Sequence, residues 1–270
     1  MSWHDIAYKD IHDASRSRTL WLLLAFMAVL FIGYAIGHGS VGEERFVAFL
    51  DGTVDIVVLL IPLLGIFLGY RSVCDDRASG SLFLSLSFPH SRRDLVTGTF
   101  VGRAVVLLVP ALVTLSIAGV VGAIQYGTDG ALLYVWFLFA TALYGVTFVG
   151  VGVALSVSTT ADRRITYGAV GGYLLLVLLW SNLVSFGVSV LHRFDASLGT
   201  PDWALFLQLM QPSEAYYRLL RVAFDVGHAG QYLGSGTPVY VDWPAALLVL
   251  ALWSLVPIAV GYRRFRTADL

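Results

Sequence analysis

Six strongly apolar stretches of this sequence carry no Asp, Glu, Lys or Arg: residues 19–42, 56–70, 104–128, 130–161, 165–192 and 243–262. Five of them have 20 residues or more, and about 20 apolar residues in an α-helix cross the hydrocarbon core of a bilayer. Lipid offers the backbone no hydrogen-bond partners, so runs of this kind fold as spanning helices. The fourth and fifth are longer than needed and are expected to tilt or to project past the membrane. The second is short, and its helix is expected to begin near Val47, with Asp51 and Asp55 at an interface. Composition agrees. The chain is 57% hydrophobic and 13% charged, against about 25% charged in a soluble domain. The expected fold class is all-α: a polytopic bundle of six transmembrane helices, forming one domain over residues 1–270.

Basic residues near helix ends set orientation. With the N-terminus inside, 13 of the 17 basic residues fall on the cytoplasmic side and 4 outside, three of them in one long loop. Both termini are therefore expected in the cytoplasm, with the chain in the plasma membrane. Residues 1–18 hold Asp5, Asp10 and Asp13 and no small-residue cleavage site, so they do not read as a signal peptide. Trp3, Ile6, Ala7 and Ile11 share one face of a helix, with charges elsewhere, as in a helix lying in the membrane interface.

The largest outer segment, 192–242, contains "PSEAYYRLLRVAFD". It reads as a short amphipathic helix before the last span, with Ser213 as its cap and Tyr216, Leu219, Leu220 and Phe224 at helical spacing. A plain lid over the bundle is the simplest role for it.

Most catalytic signatures fail. "GHGSVG" at 37–42 matches G-x-G-x-x-G, but a spanning helix precedes it where a dinucleotide site needs a strand. Ser40 and Glu43 fit a capping box for the next helix better. The six histidines show no H-E-x-x-H, and Cys74 is the only cysteine, which excludes an intrachain disulfide and a cysteine-built metal cluster. No catalytic residue and no metal site is assigned, and a net charge of −1 gives no nucleic-acid footprint. There is no Walker A motif, so no ATP hydrolysis by this chain is expected. Ionisable residues inside spans usually mark ion or proton paths; their near absence argues against an autonomous proton-coupled carrier. Gly33/Gly37, Gly65/Gly69, Gly98/Gly102 and Gly168/Gly172 each form G-x-x-x-G, the spacing that lets helices approach closely in lipid.

The connection after the second span, "CDDRASGSLFLSLSFPHSRRDLVTGTFVGR", is too organised for a linker. Leu82, Phe83, Leu86 and Phe88 recur among Ser79, Ser81, Ser85 and Ser87, as in a short helix with one apolar face. Phe88-Pro89 breaks it. Ser91 and Asp94 form a capping box, with Arg92 and Arg93 in the first turn of the following helix.

The pattern R-x-x-G-S-L-x-x-x-L-S-x-P-x-S-R-x-x-L-V-x-G, from Arg77 to Gly98, resembles the permease subunits of ABC-2 type ABC transporters, a group that includes the nitrous-oxide-reductase maturation permease. The leader "IAYKDIHDASRSRTLWLLLA" is similar to that family's N-terminal elbow helix, and "LMQPSEAYYRL" to the segment before its last span. The resemblance implies that residues 71–95 form a cytoplasmic coupling element docking on a separate ATPase subunit, with ATP and Mg bound there and no cofactor on this chain. The coupling residues it implies are Arg77, Gly80, Ser81, Leu82, Phe83, Leu86, Pro89, Ser91, Arg92 and Arg93. It also implies a second permease chain, with a homodimer expected, in contact with membrane lipid. One departure stands out: a lysine common in the family is Thr99 here, with Arg103 one turn further on. Two other readings compete: a non-transporting assembly or sensory subunit on the same scaffold, and an intramembrane enzyme, which would need convergent polar groups at mid-depth.

Overall fold

The computed structural model of the chain describes residues 3–40, 42–70, 72, 91–159, 161–194, 200–224 and 238–267. Arg77, Gly80, Ser81, Leu82, Phe83, Leu86 and Pro89 lie outside them. All regular structure among the described residues is helical. Six helical segments are long and apolar enough to cross a membrane: Leu20–Ser40, Phe46–Gly69, Arg92–Tyr126, Ala131–Ser158, Arg163–Leu191 and Trp243–Arg266. We number the helices α1 (Trp3–Arg16), α2 (Arg18–Gly37), α3 (Phe46–Gly69), α4 (Arg92–Tyr126) and α5 (Tyr134–Ser158). The fifth span joins α6 (Asp162–Tyr173) to α7 (Trp180–Leu191) through a π-helical stretch, Leu174–Leu179. Then come α8 (Asp202–Leu209), α9 (Pro212–Leu220) and α10 (Trp243–Thr267), the last span. The fold is an all-α polytopic bundle. The helix α1 and the last turn of α10 lie at one end of it, here called the base.

The second span starts at Phe46, one residue before the expected Val47. Its cap differs from expectation. Arg45 occupies the N-cap position without a side-chain bond. Ser40 Oγ donates instead to the Gly37 carbonyl at 2.7 Å, finishing the first span rather than starting the second.

The fourth span, α5, is the bundle's centre, and 67% of its apolar stretch is buried. Glycines bring two neighbours to it at near-backbone contact. A Cβ added at Gly69 would lie 2.7 Å from Val153 N, and one at Gly152 would lie 2.8 Å from Ile66 O. On the opposite face, a Cβ at Gly150 would lie 2.7 Å from Ser254 O, and one at Gly261 would lie 2.9 Å from Ala154 O. In lipid this proximity matters because dispersion and polar contacts, not water exclusion, hold helices together. Thr147 Oγ1 adds a bond to Ser254 Oγ at 3.0 Å.

The segment expected as a lid enters the bundle. The helices α8 and α9 form a hairpin that comes in from the end opposite the base. Its tip bonds Val177 and Trp253 directly, and Val58 through Tyr144. All four sit at the midpoints of their spans. Helices of 8 and 9 residues rise about 12–14 Å, close to half of a ~30 Å hydrocarbon core. Ser213 does not cap α9. Gln211 holds the N-cap position, Pro212 opens the helix, and buried Ser213 bonds the Tyr144 hydroxyl at 2.8 Å. Tyr144 also donates to the Val58 carbonyl at 3.1 Å and stacks on Tyr216, ring centroids 4.6 Å apart. Tyr216 bonds Thr141 at 2.9 Å, and Trp253 Nε1 donates to the Met210 carbonyl at 2.9 Å.

The π-helical stretch serves this hairpin. A π turn shifts the hydrogen-bond register and leaves carbonyls available. Gln211 Nε2 donates to the Val177 carbonyl at 3.2 Å. Asn182 Nδ2 donates to Leu178 O at 2.7 Å, and Trp180 Nε1 reaches Leu207 O on α8 at 2.7 Å.

The glycine contacts generate a paired expectation. Gly152→Leu forces α3 and α5 apart, a cost of at least about 3 kcal/mol for overpacking against backbone, and should abolish a monodisperse detergent-solubilised species. Gly187→Leu places its side chain in open space within the chain and should leave that species intact. Equal behaviour in size-exclusion chromatography would show that glycine proximity does not set the bundle.

Candidate functional site

The described part of the expected coupling region is the base of α4, where the connection re-enters the bundle. The capping box forms here. Asp94 N–H donates to Ser91 Oγ at 3.1 Å, and Ser91 N–H donates to Asp94 Oδ2 at 3.2 Å. Ser91 has extended φ/ψ of −77° and 152°, so the chain arrives straight and turns abruptly into helix.

Arg92 turns toward the last span. Its Nη1 donates to the carbonyls of Phe265 at 2.7 Å and Arg266 at 3.1 Å. Its guanidinium carbon lies 5.4 Å from the centre of the buried Phe265 ring. Helix ends leave their last carbonyls without intrahelical partners and carry partial negative charge; Arg92 meets both needs at the end of α10. Arg93, one residue on, is exposed.

On its other side the base of α4 carries α1. A Cβ at Gly98 would lie 2.7 Å from both Ile6 Cβ and the Trp3 carbonyl, and one at Gly102 would lie 2.7 Å from Asp10 Oδ2. This glycine pair makes room for the N-terminal helix rather than for another span. Ala7 is buried in the contact. Asp10 and Arg103 then form an ion pair at 3.0 Å, with their side chains 21% and 29% exposed. Thr99 is buried one turn before Arg103.

The other glycine pairs divide. Gly65 and Gly69 lie against α5. A Cβ at Gly33, Gly37 or Gly172 would meet nothing within 4 Å, and one at Gly168 would meet only the Leu155 side chain. Within one chain Gly33, Gly37 and Gly172 hold no close helix contact, while Gly168 lies close to α5. Among the described residues, no three His, Cys, Asp or Glu side chains come together as a metal site.

Sequence reasoning found the cap because its two residues are three apart on one helix. It missed the clasp of α1. Asp10 had been grouped with the charged, outward residues, yet it continues the stripe Trp3, Ile6, Ala7 by one turn. The signal was available: an acid in phase with an apolar stripe needs a basic partner.

The pattern that defines the ABC-2 family transporter proteins matches residues 4–270. The chain is 26% identical to the probable ABC transporter permease protein NosY of Pseudomonas aeruginosa over 269 residues, covering 97% of this chain and 96% of that protein. It is 27% identical to the protein of the same name from Stutzerimonas stutzeri over 277 residues, covering 97% of each.

Removing one partner of a partly buried pair costs about 1–2 kcal/mol once solvent screening is counted. Arg103→Ala should therefore lower the thermal midpoint in detergent by roughly 3–6 °C. Exchanging the charges, Asp10→Arg with Arg103→Asp, should recover at least half of that loss. A double variant no more stable than the sum of its single changes would show that the pair does not fasten α1.

Proposed function

Because this chain belongs to the ABC-2 family of transporter proteins, we propose that it is the membrane-spanning permease subunit of an ATP-driven transporter. It pairs with a second permease chain and is driven by a separate ATPase subunit. The observation that carries this reading is the fastening of α4 at its base. The first residue after the 74–90 connection caps α4, the second grips the end of α10, and the next turns of α4 hold α1. A push on the connection is thereby delivered to three helices at once. That suits a docking surface better than a passive link.

Within one chain, the hydroxyls packed around the hairpin tip and between the fourth and last spans are occupied. Thr141, Tyr144, Ser213 and Tyr216 bond one another or the backbone, and Thr147 bonds Ser254. A route through the membrane accordingly runs between two permease chains. The open glycines Gly33, Gly37 and Gly172 are suited to close contacts across such a pair.

The base is assigned to the cytoplasm. Arg16, Arg18, Arg92, Arg93, Arg163, Arg164, Arg263, Arg264 and Arg266 all lie at its helix ends, and an excess of arginine marks the cytoplasmic side. The lone cysteine tests this. Cys74 should resist a membrane-impermeant maleimide in intact cells and react in inside-out vesicles. Labelling from outside would reverse the topology.

Coupling is tested by Leu86→Asp combined with Arg93→Glu, which spares Arg92 and its structural bonds. The double variant should lose co-purification with the ATPase subunit that drives it and cut ATP turnover by the complex at least about tenfold, as loss of interface hot spots does. An intact complex with unchanged turnover would disprove coupling through this connection.

A further inference from the structure

A groove of about 230 Å³ runs between the second and fifth spans on the base half of the bundle. Its walls include Leu63, Phe67 and Tyr70 on α3 and Thr166, Val170 and Leu174 from the fifth span. Almost all of the surface is apolar. The Tyr173 hydroxyl donates to the Leu59 carbonyl at 3.1 Å and draws the two spans together at the groove's inner limit. The wall from Thr166 to Leu174 is about 12 Å long at 1.5 Å per residue, within the depth of one leaflet's acyl region. The groove therefore stops short of the other leaflet.

Its mouth is basic. Arg163 precedes Thr166, Val170 and Leu174 by three, seven and eleven residues, so it stands on the same helix face, one turn beyond the groove toward the base. Arg164 is its neighbour. Both are exposed. Tyr167, 73% exposed, flanks them at the level where aromatic rings favour the membrane interface.

We propose that this groove binds one anionic phospholipid from the leaflet on the base side. An acyl chain lies between the second and fifth spans, and the headgroup phosphate is held by Arg163 and Arg164. The pieces are complementary. The apolar walls match a hydrocarbon chain, and arginine forks match phosphate oxygens with paired, charge-assisted hydrogen bonds. A second copy of this chain fits less well. A two-fold contact centred on the groove would set the same patch against itself and bring four arginines together. A zwitterionic lipid would satisfy the walls but set a positive choline beside the arginines. This site goes beyond the transport reading and does not depend on the ATPase. It requires only that the base face one leaflet.

The test uses the full-length chain in detergent, delipidated and titrated with dioleoyl phosphatidylglycerol or dioleoyl phosphatidylcholine under native mass spectrometry. Each arginine near an anionic headgroup is worth about a factor of five in affinity. The first bound phosphatidylglycerol should therefore appear at a concentration roughly 25-fold lower than phosphatidylcholine. Arg163→Gln with Arg164→Gln should abolish that preference. Val170→Trp, at a position 54% exposed, fills the groove while keeping both arginines, and should also lose the tight lipid. Equal binding of the two lipids by the unaltered chain overturns the proposal. So does an unchanged preference in either variant. A third disproof is efficient oxidation of Val170→Cys, in a Cys74→Ser background, to a disulfide-linked dimer, because a second copy would then occupy the groove. Failure of coupling to an ATPase would leave all of these readouts untouched.

Discussion

The rest of this molecule depends on how closely the fourth span approaches its two neighbours. Gly150 and Gly152 lie on opposite faces of α5 and let α10 and α3 reach its backbone. Remove that proximity and the polar contacts have no geometry. Thr147 could not bond Ser254, nor could Tyr144 reach the Val58 carbonyl. In a soluble protein the hydrophobic effect would tolerate some slack here. In lipid, helix contacts rest on dispersion, which falls steeply with distance, and on hydrogen bonds of modest worth. Two residues without side chains therefore govern a three-helix core.

The hairpin of α8 and α9 inhabits the space this core leaves. Non-helical backbone at membrane depth persists only where protein surrounds it, and here the enclosure is specific. At the tip, the Met210 carbonyl is met by Trp253 and the Ser213 hydroxyl by Tyr144, while Gln211 is spent on Val177. Pro212 helps further, since its missing N–H sits at a helix start where that donor would have had no intrahelical partner. The π-helical stretch of the fifth span is the other half of the arrangement, supplying the Val177 carbonyl that Gln211 Nε2 meets.

Much of this architecture was legible in the sequence, and the illegible parts share a cause. Spans two and six were visible because a bilayer imposes one length on any run that crosses it. The Ser91–Asp94 box was visible because capping is local. Ser213 looked like the same signal and was not, because its hydroxyl is claimed by Tyr144, 69 residues away. The depth of 202–220 was hidden for a similar reason. Asp202, Glu214 and Arg218 give that segment the composition of an outer loop, and only contacts to four distant spans show otherwise. Gly150 and Gly152 escaped a search for G-x-x-x-G because they serve two different partners and so need no common face. At the base, Asp10 was read as solvated from its type alone; its partner Arg103 is 93 positions away in the chain, beyond any local pattern.

The base of α4 brings these strands together as a mechanical argument. A rigid helix transmits a displacement along its length only if its end cannot fray or slide independently. The Ser91–Asp94 box prevents fraying, and Gly98 and Gly102 seat α1 so deeply that the two helices move as one body. Arg92 links this body to α10, whose middle is held to the hairpin tip through Trp253 and the Met210 carbonyl. A continuous set of contacts thus runs from the start of α4, along the last span, to the hairpin that enters from the opposite face. Movement of α4's base relative to α5 must either break the Arg92 bonds or carry α10 with it. Carrying α10 strains the backbone contact at Gly150 and shifts the hairpin. The same proximity that makes the core stable also makes it hard to move any one of these helices alone.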